Sequence, residues 1–268
     1  MTSSADALRE AVAARDWYHT LELNGVVTPG WFDTRPVAPS LSIPSDLTGK
    51  RCLDVGTFDG FWAFEMEGRG ADEVHAIDVL DPQRWDWPAT SPQSVRDEIS
   101  SRHDGGGGFE IAKQALGASA TRHDLSVYEL HPDVLGMFDV VYVGSLLIHL
   151  RDPIGALEAV RSVCRGNLVL VDAIDVGLTL RHPRRPVAEL DGRDRPWWWR
   201  ANQSAIVRMV ESAGFRLLQP PQRLAMPAGA GQQRAPWRWS TVRHRESRQS
   251  LLRTSVGDPH VAIVATRT

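Results

Sequence analysis

Residues 53–64 have the residue types of a small-ligand site, with two acids and two glycines set among apolar residues. Asp54, Gly56 and Gly60 follow an apolar run and precede a helix-like one, and glycine lets the backbone approach a ligand where a Cβ atom would collide. Asp78 ends a second apolar run about 20 residues later, where an acid typically accepts hydrogen bonds from ribose hydroxyls. The pattern predicts an adenosine-containing cofactor at the carboxyl ends of parallel strands.

Other nucleotide-binding motifs do not fit this stretch. Its spacing is not the G-x-G-x-x-G of nicotinamide enzymes, and it lacks the Lys-Ser/Thr pair of a phosphate-binding P-loop. The alternative is an ordinary glycine turn in another α/β protein. The net charge of −3 does not indicate a general affinity for nucleic acid or for an anionic membrane. Cys52 and Cys164 lack Cys or His neighbours at metal-ligand spacing, so we expect two reduced core thiols and no metal site.

Two later strand ends extend the predicted site. Asp124 ends the third strand, where it would accept from the adenine amino group, and the fourth strand ends at Gly144. Asp54 either orients the glycine turn or binds the amino group of the cofactor, and each acid alone could be a turn residue or a helix cap. The candidate cofactor-binding residues are Asp54, Gly56, Thr57, Gly60, Asp78, Val79, Asp124, Leu125, Gly144 and Ser145.

Two histidines are candidates for a general base, the group that removes a proton from a nucleophile. His149 lies just past the fourth strand, and the alternative is a structural, hydrogen-bonded histidine. His19 lies beside Tyr18 near the amino terminus, and its alternative is packing in a lid. His123 precedes the adenine acid and is interpreted as structural. The remaining positions, His131, His182 and His260, are scattered along the chain.

Strands that alternate with helices predict an α/β fold with a doubly wound, mostly parallel sheet. We expect strands at 50–55, 73–78, 138–143, 168–171, 215–218 and 260–264, and a short one ending at Asp124. Helices are expected at 7–14, 59–69 and 108–117, from Pro153, and from an Asn202 cap to Ala213. Residues 1–48 are predicted to cap the cofactor cleft. Residues 49–268 form the main domain, with insertions near 79–103, 174–201 and 220–256.

The glycine turn resembles motif I of class I S-adenosyl-L-methionine (SAM) methyltransferases. Residues 17–19, 28–33, 47–56, 138–153 and 198–215 resemble more particularly the bacterial tRNA wobble-uridine (mo5U34) methyltransferase family. The resemblance implies a Rossmann-like fold, SAM as cofactor and S-adenosyl-L-homocysteine (SAH) as product.

One segment departs from that family. Its Leu-Tyr-His-Arg after the fourth strand is replaced here by Leu147, Ile148, His149 and Leu150. A carboxylated donor would require polar or cationic partners at these positions, so we expect plain SAM.

The acceptor is the open question. We expect an O or N nucleophile of a small molecule, a secondary metabolite or a sugar-like compound, enclosed by aromatic side chains and one arginine. The residues in question are Tyr18, Trp31, Trp197, Trp198, Trp199 and Arg200. Arginine beside tryptophan, here and at 234–253, could instead bind RNA, which favours a tRNA-modifying enzyme. Those arginines could also pair with the chain's own acids or form a subunit interface.

A third hypothesis is a SAM-binding regulatory protein without catalysis. The amino terminus lacks the features of a signal peptide, and no run is long enough to cross a membrane. We therefore expect a cytoplasmic protein. The exposed aromatic content favours a homodimer.

Overall fold

The computed structural model describes residues 4–103, 105–193, 196–232 and 256–268. The strands are β1 (Trp17–His19), β2 (Glu22–Leu23), β3 (Val26–Val27), β4 (Gly30–Phe32), β5 (Arg51–Val55), β6 (Glu73–Asp78), β7 (Thr121–Asp124), β8 (Phe138–Gly144), β9 (Cys164–Ala173), β10 (Ala188–Leu190), β11 (Trp199–Ala201), β12 (Phe215–Leu217), β13 (Gln222–Met226) and β14 (Asp258–Arg267). The helices are α1 (Ser4–Ala13), α2 (Phe61–Gly68), α3 (Gln93–Arg102), α4 (Gly107–Leu116), α5 (Pro132–Leu135), α6 (Pro153–Val163), α7 (Val176–Arg181) and α8 (Gln203–Ser212).

The described residues place eight strands in the central sheet, in the order β12-β14-β9-β8-β5-β6-β7, with β13 also paired to β14. Strands β5 to β9 are parallel to one another, and β14 runs antiparallel between β9 and the β12–β13 edge. The order reverses at β5, which joins β6 on one side and β8 on the other. Ligands bind at such a switch point in doubly wound sheets.

Both faces of the sheet are covered, and apolar residues of the central strands, such as Leu53, Val141 and Leu170, are buried. One core holds α2, α4 and the amino-terminal segment, which comprises residues 4–48, and the other holds α6 and α8. Adjacent residues of β5 face opposite cores: Cys52 packs in the first and Leu53 in the second. The predicted α/β, Rossmann-like fold class is therefore confirmed.

The main strands and helices lie where the sequence predicts them, with ends that differ by a few residues. Asn202 caps α8 as expected, since its side chain accepts from the Ala205 amide at 2.8 Å. The predicted insertions contain structure that the sequence did not indicate: α3 in the first, and α7 with the β10–β11 hairpin in the second. The third begins with β13, whose Met226 pairs with Asp258 of β14.

The structure also bears on the predictions for the two cysteines and for membrane-spanning segments. Cys52 and Cys164 are free and buried, as expected of core thiols. A search of the described residues finds no helix with the length and apolar character needed to span a membrane.

Candidate functional site

The glycine turn, residues 56–60, adopts a backbone that most side chains avoid. Gly56 and Gly60 have φ of +75° and +89°, and Phe58 between them has φ of +52°. Asp54, at the end of β5, accepts from the Thr57 hydroxyl at 2.7 Å and from the Ala63 amide at 3.1 Å. Its carboxylate therefore joins the turn to the start of α2. Of the two roles considered for Asp54, the structure shows the orienting one.

Asp78 lies against the same turn. Its carboxylate accepts from the Phe58 amide at 2.8 Å and from the Val79 amide at 2.8 Å. The first bond holds Phe58 in its left-handed conformation, which is strained for a residue with a side chain. Burial raises the pKa of Asp78 to about 6. A partner that donates hydrogen bonds to this carboxylate would favour its ionised form.

Asp124 is the register partner of Asp78 across β6 and β7. It accepts from the Leu80 amide at 3.1 Å and pairs with Arg84 at 2.9 Å, and its side chain is 42% exposed. The Leu125 amide donates to the Asp78 carbonyl at 2.9 Å. The predicted ribose and adenine acids are therefore adjacent.

The end of β8 holds a second strained turn. Ser145 has φ of +49°, and its amide donates to the Val171 carbonyl at 2.8 Å. The fully buried Asp172 accepts from the amides of Leu146 and Leu147 at 3.0 and 2.8 Å. Asp172 was not predicted from the sequence, although an acid directly after the apolar run at 168–171 was a usable signal. Strain of this kind persists where the surrounding structure enforces it.

The amino-terminal segment is attached to the glycine turn through Asp59, which the sequence analysis also missed. One oxygen of this buried carboxylate accepts from the amides of Tyr18 and His19, each at 2.8 Å. The other contacts Nδ1 of the His19 ring. Since a carboxylate accepts, Nδ1 carries the proton, and the neutral imidazole has an unprotonated Nε2.

These elements line a small, partly open cavity between the glycine turn, the end of β8 and the amino-terminal segment. Its lining residues are Tyr18, His19, Phe32, Thr34, Gly56, Trp62, Tyr142, Gly144, Ser145 and Met226. The Thr34 hydroxyl is buried there without a hydrogen-bond partner in the described part of the chain. A buried hydroxyl without a partner is costly, so this group fits a ligand that would bond to it.

The residues around the cavity fit SAM. Gly56 and Gly144 present backbone from the two strand ends, and a Cβ atom at Gly144 would lie 2.6 Å from the Tyr142 ring. These positions would hold the amino-acid part of the cofactor. Asp78 would hold the ribose, and Asp124 with Leu125 the adenine. Thr57 and Gly60 shape the turn, since the Thr57 hydroxyl bonds to Asp54 and Gly60 precedes α2.

His149 lies elsewhere. Its Nδ1 donates to the Pro196 carbonyl at 2.7 Å, and burial lowers its pKa. It is not among the residues that line the cavity, so the structure ties it to the segment at 174–201 rather than to the predicted reaction site. His19 is the predicted base that the structure does bring to the cavity.

The predicted acceptor-binding aromatic residues are also divided. Tyr18 lines the cavity, whereas Trp31 is half exposed on the outer face of β4, and its neighbour Phe32 faces inward. Trp198 and Trp199 donate their ring N–H groups to the carbonyls of Asp86 and Leu150, which attaches the β10–β11 hairpin to the segments that follow β6 and β8.

The remaining predicted residues lie in or near the same hairpin. Trp197 is at the surface, 36% exposed. Arg200 pairs with Asp175 and with Glu189, at 2.5 and 3.0 Å. This arginine therefore pairs with the chain's own acids, which is one of the alternatives considered for it. The second basic and aromatic stretch, which includes Trp237, Trp239 and Arg243, lies outside the described residues.

A family model described as "Methyltransferase domain" matches residues 35–219. The chain belongs to this family. The match covers the glycine turn, Asp78, Asp124 and the end of β8, which are the elements that form the predicted donor site. The methyltransferase family and SAM as its cofactor, both predicted from the sequence, are thereby confirmed.

Curated relatives share part of the chain. It is 28% identical over 174 residues to a tRNA U34 carboxymethyltransferase of Pseudomonas paraeruginosa, with 63% of this chain and 46% of that protein covered. It is 30% identical over 183 residues to the protein of the same name from Ectopseudomonas mendocina, with 67% and 48% covered. The chain thus spans about half the length of these relatives. The resemblance to the tRNA wobble-uridine enzymes is confirmed as a distant relationship.

Solved structures confirm the fold. The amino-terminal domain of EvdMO1 with SAH bound has a TM-score of 0.56 at 14% identity, over 100% of this chain and 98% of that one. The magnesium protoporphyrin IX methyltransferase ChlM from Synechocystis PCC 6803 with bound SAM has a TM-score of 0.50 at 13% identity, over 88% and 78%. At these identities the likeness extends to the fold alone.

Proposed function

We propose that the protein transfers the methyl group of SAM to an O or N nucleophile of a small molecule. The observation that carries this proposal is the cavity itself, where Gly56, Gly144 and Ser145 meet Tyr18 and His19. This arrangement supports a donor site and an acceptor site that adjoin at this cavity. Buried walls there would keep water away from the reacting groups.

His19 is the proposed general base. Asp59 holds its Nδ1–H and leaves Nε2 unprotonated, the arrangement that orients a catalytic imidazole. The imidazole would take the proton of the acceptor, and the buried Asp59 would stabilise the resulting imidazolium. SAM, when bound, supplies a methyl carbon on a positively charged sulfur, which is open to in-line displacement. The main task left to the chain is to position the acceptor and accept its proton.

Modification of tRNA is the second candidate, and the names of the curated relatives favour it. Two observations weigh against carboxymethyl transfer to tRNA. The described lining of the cavity contains no arginine or lysine that would pair with a carboxylated donor. Arg200 is engaged with Asp175 and Glu189 rather than presented to a phosphate.

A regulatory protein without catalysis is the third candidate. It would be favoured if no histidine faced the donor site and if no space for an acceptor adjoined it. The position of His19 in the lining of the cavity, together with Gly56 and Gly144, supports an enzyme instead. The amino-terminal cap, the cytoplasmic location and the homodimer remain predictions.

The test is release of SAH from SAM by the purified protein in the presence of separate acceptor sets. One set contains phenols, catechols, monosaccharides and primary amines, and the other is bulk tRNA. We expect a methylated small molecule, with its mass raised by one methylene. Methylation of tRNA alone would reverse the order of the first two candidates, and SAH binding without any transfer would favour the third.

A further inference from the structure

Three buried carboxylates adjoin the cavity, those of Asp54, Asp59 and Asp172, and each residue is at most 3% exposed. Asp54 on β5 is the register partner of Tyr142 on β8, and Tyr142 lines the cavity. Asp59 accepts from the amides of the amino-terminal wall. Asp172 accepts from the turn that directly follows Ser145. The three acids therefore approach one cavity from β5, from the glycine turn and from β9.

These carboxylates lack the cationic partners that acids elsewhere in the molecule have. Within the described ranges, no arginine or lysine forms an ion pair with any of the three. Asp54 and Asp172 accept from backbone amides and one hydroxyl, which carry no net charge, and Asp59 contacts the His19 ring. By contrast, Asp139 at the opposite end of β8 pairs with Arg165 at 2.8 Å. A buried charge without a counter-charge is costly, so this cavity fits a ligand that brings a positive charge.

Aromatic rings form much of the lining. The four are those of Tyr18, Phe32, Trp62 and Tyr142. Trp62 and Tyr142 stack with 4.4 Å between ring centroids, and Tyr18 meets Phe32 edge to face at 5.4 Å. Aromatic rings attract organic cations that lie over their faces within about 6 Å of the centroid. The rings and the carboxylates thus favour the same kind of ligand, a cation with an apolar surface.

The cofactor loses such a charge during the proposed reaction. Its sulfur would lie between the amino-acid part, held at Gly56 and Gly144, and an acceptor whose proton passes to His19. On transfer the bond from sulfur to the methyl carbon breaks, and the acceptor oxygen or nitrogen forms the new bond to that carbon. The electron pair of the broken bond stays on sulfur, which becomes neutral. SAM therefore brings a positive charge to the cavity, and the sulfur of SAH does not.

We propose that the aromatic rings and buried carboxylates of this cavity recognise the sulfonium charge, so that the chain binds SAM more tightly than SAH. The product then leaves readily, and accumulated SAH inhibits the enzyme only weakly. The inference rests on the proposed function, because methyl transfer to an acceptor beside His19 is what places the sulfonium in this cavity.

The experiment is separate calorimetric titration of SAM, SAH and sinefungin into the full chain at pH 8. Burial raises the pKa values of Asp54 and Asp172 to about 6, so both are ionised at pH 8. Sinefungin has an ammonium-bearing carbon in place of the methylated sulfur, so it is positively charged there without a methyl group to transfer. We expect SAM and sinefungin each to bind at least about fivefold more tightly than SAH.

Two results would overturn the inference while leaving the proposed function intact. One is SAH that binds as tightly as SAM or more tightly. The other is sinefungin that binds no more tightly than SAH, because the advantage of SAM would then come from its methyl group rather than from its charge. If none of the three ligands binds, the proposed function fails first.

Asp172→Asn tests the contribution of the carboxylates. The Leu146 and Leu147 amides donate to the same Asp172 oxygen, and an amide oxygen can still accept from both. We expect the preference for SAM over SAH to shrink at least about threefold, through weaker binding of SAM. Asp139→Asn is the matched control, since it removes one charge at the opposite end of β8 and should keep the preference. An equal loss of preference in both variants would contradict a local effect of charge.

Tyr142→Leu tests the contribution of the rings. This variant removes a ring from the lining, whereas the control Tyr142→Phe removes the hydroxyl and keeps the ring. The preference for SAM should shrink in the first variant and persist in the second. An unchanged preference in both Asp172→Asn and Tyr142→Leu would contradict the proposal. If Tyr142→Leu does not fold, the titrations of the wild-type chain and of Asp172→Asn decide.

Discussion

The donor side and the acceptor side of the cavity are built in different ways. On the donor side, Asp54, the glycine turn and Asp78 lie within 25 positions of one another, and short-range hydrogen bonds fix them. On the acceptor side, Tyr18, Ser145 and Met226 come from distant parts of the chain. The donor side is thus a local motif that many proteins can share. The acceptor side depends on the whole fold, and we expect it to set what is particular to this enzyme.

Among the variants considered, the largest effect on methyl transfer is expected at the proposed base, His19. His19→Ala should slow methyl transfer by about 10²–10⁴-fold, the usual contribution of a general base, with SAM affinity nearly unchanged. The measurement is SAH release with an acceptor that the wild-type chain methylates. The matched control is His149→Ala, which should retain most activity because His149 bonds to Pro196 outside the cavity. If His149→Ala slowed methyl transfer more than His19→Ala did, His149 would be the better candidate for the base.

Asp59 joins the two sides, so its removal should cost stability as well as activity. Asp59→Ala leaves the buried amides of Tyr18 and His19 without their acceptor. We expect the free energy of unfolding to fall by roughly 3 kcal/mol. Urea denaturation would measure it. The control Asp46→Ala removes an exposed carboxylate that accepts from the Thr48 amide, and should leave the free energy of unfolding nearly unchanged. Equal losses of stability in Asp59→Ala and Asp46→Ala would contradict the role proposed for Asp59.

The donor side is tested by Asp78→Ala. We expect SAM affinity to fall more than tenfold, about 1.4 kcal/mol, because the ribose acceptor is lost. Calorimetry gives the value directly. Asp72→Ala is the control, since Asp72 accepts from Gly49 at the opposite end of β6. An Asp78 variant that binds SAM as tightly as the wild type would remove this residue from the ribose site.

Protonation of Asp78 should weaken its predicted contact with the ribose of SAM. With the pKa of Asp78 raised to about 6, the carboxylate is ionised above that pH and neutral below it. Ribose hydroxyls bind the ionised form, so SAM affinity should be flat above pH 6 and fall by up to about tenfold per pH unit below it. Asp54 and Asp172 have pKa values raised to about 6 as well, so the pH profile of Asp78→Asn serves as the reference. If SAM affinity fell over the same pH range in the wild type and in Asp78→Asn, the fall would be due to the protonation of another group.

The smallest effect is expected at Arg200. It pairs with Asp175 and Glu189 near the surface, and such pairs contribute about 1 kcal/mol or less. Arg200→Ala should leave SAM affinity unchanged, and it should retain no less tRNA on a filter than the wild type does. A filter-binding assay at low salt would check the second point. A marked loss of tRNA binding would favour the RNA-modifying candidate.

The contrast between the two sides also explains what the sequence could predict. The donor motif was predictable because it is contiguous and follows a strand, and Asp78 has a characteristic spacing. His19 was predicted without its partner, since Asp59 lies 40 positions away and its contact depends on how the amino-terminal segment packs. The contact of His260 with Ser145 had no sequence signal, because only the antiparallel insertion of β14 beside β9 brings the two residues together.

The central claim is a SAM site that serves a small acceptor. The most direct measurement is calorimetric binding of SAM, SAH and bulk tRNA to the purified protein at two salt concentrations. We predict micromolar binding of SAM and SAH and no tRNA signal at either salt. Tight tRNA binding that weakens with salt would contradict the choice of acceptor. Absence of binding by both SAM and SAH would contradict the assignment of the glycine turn itself.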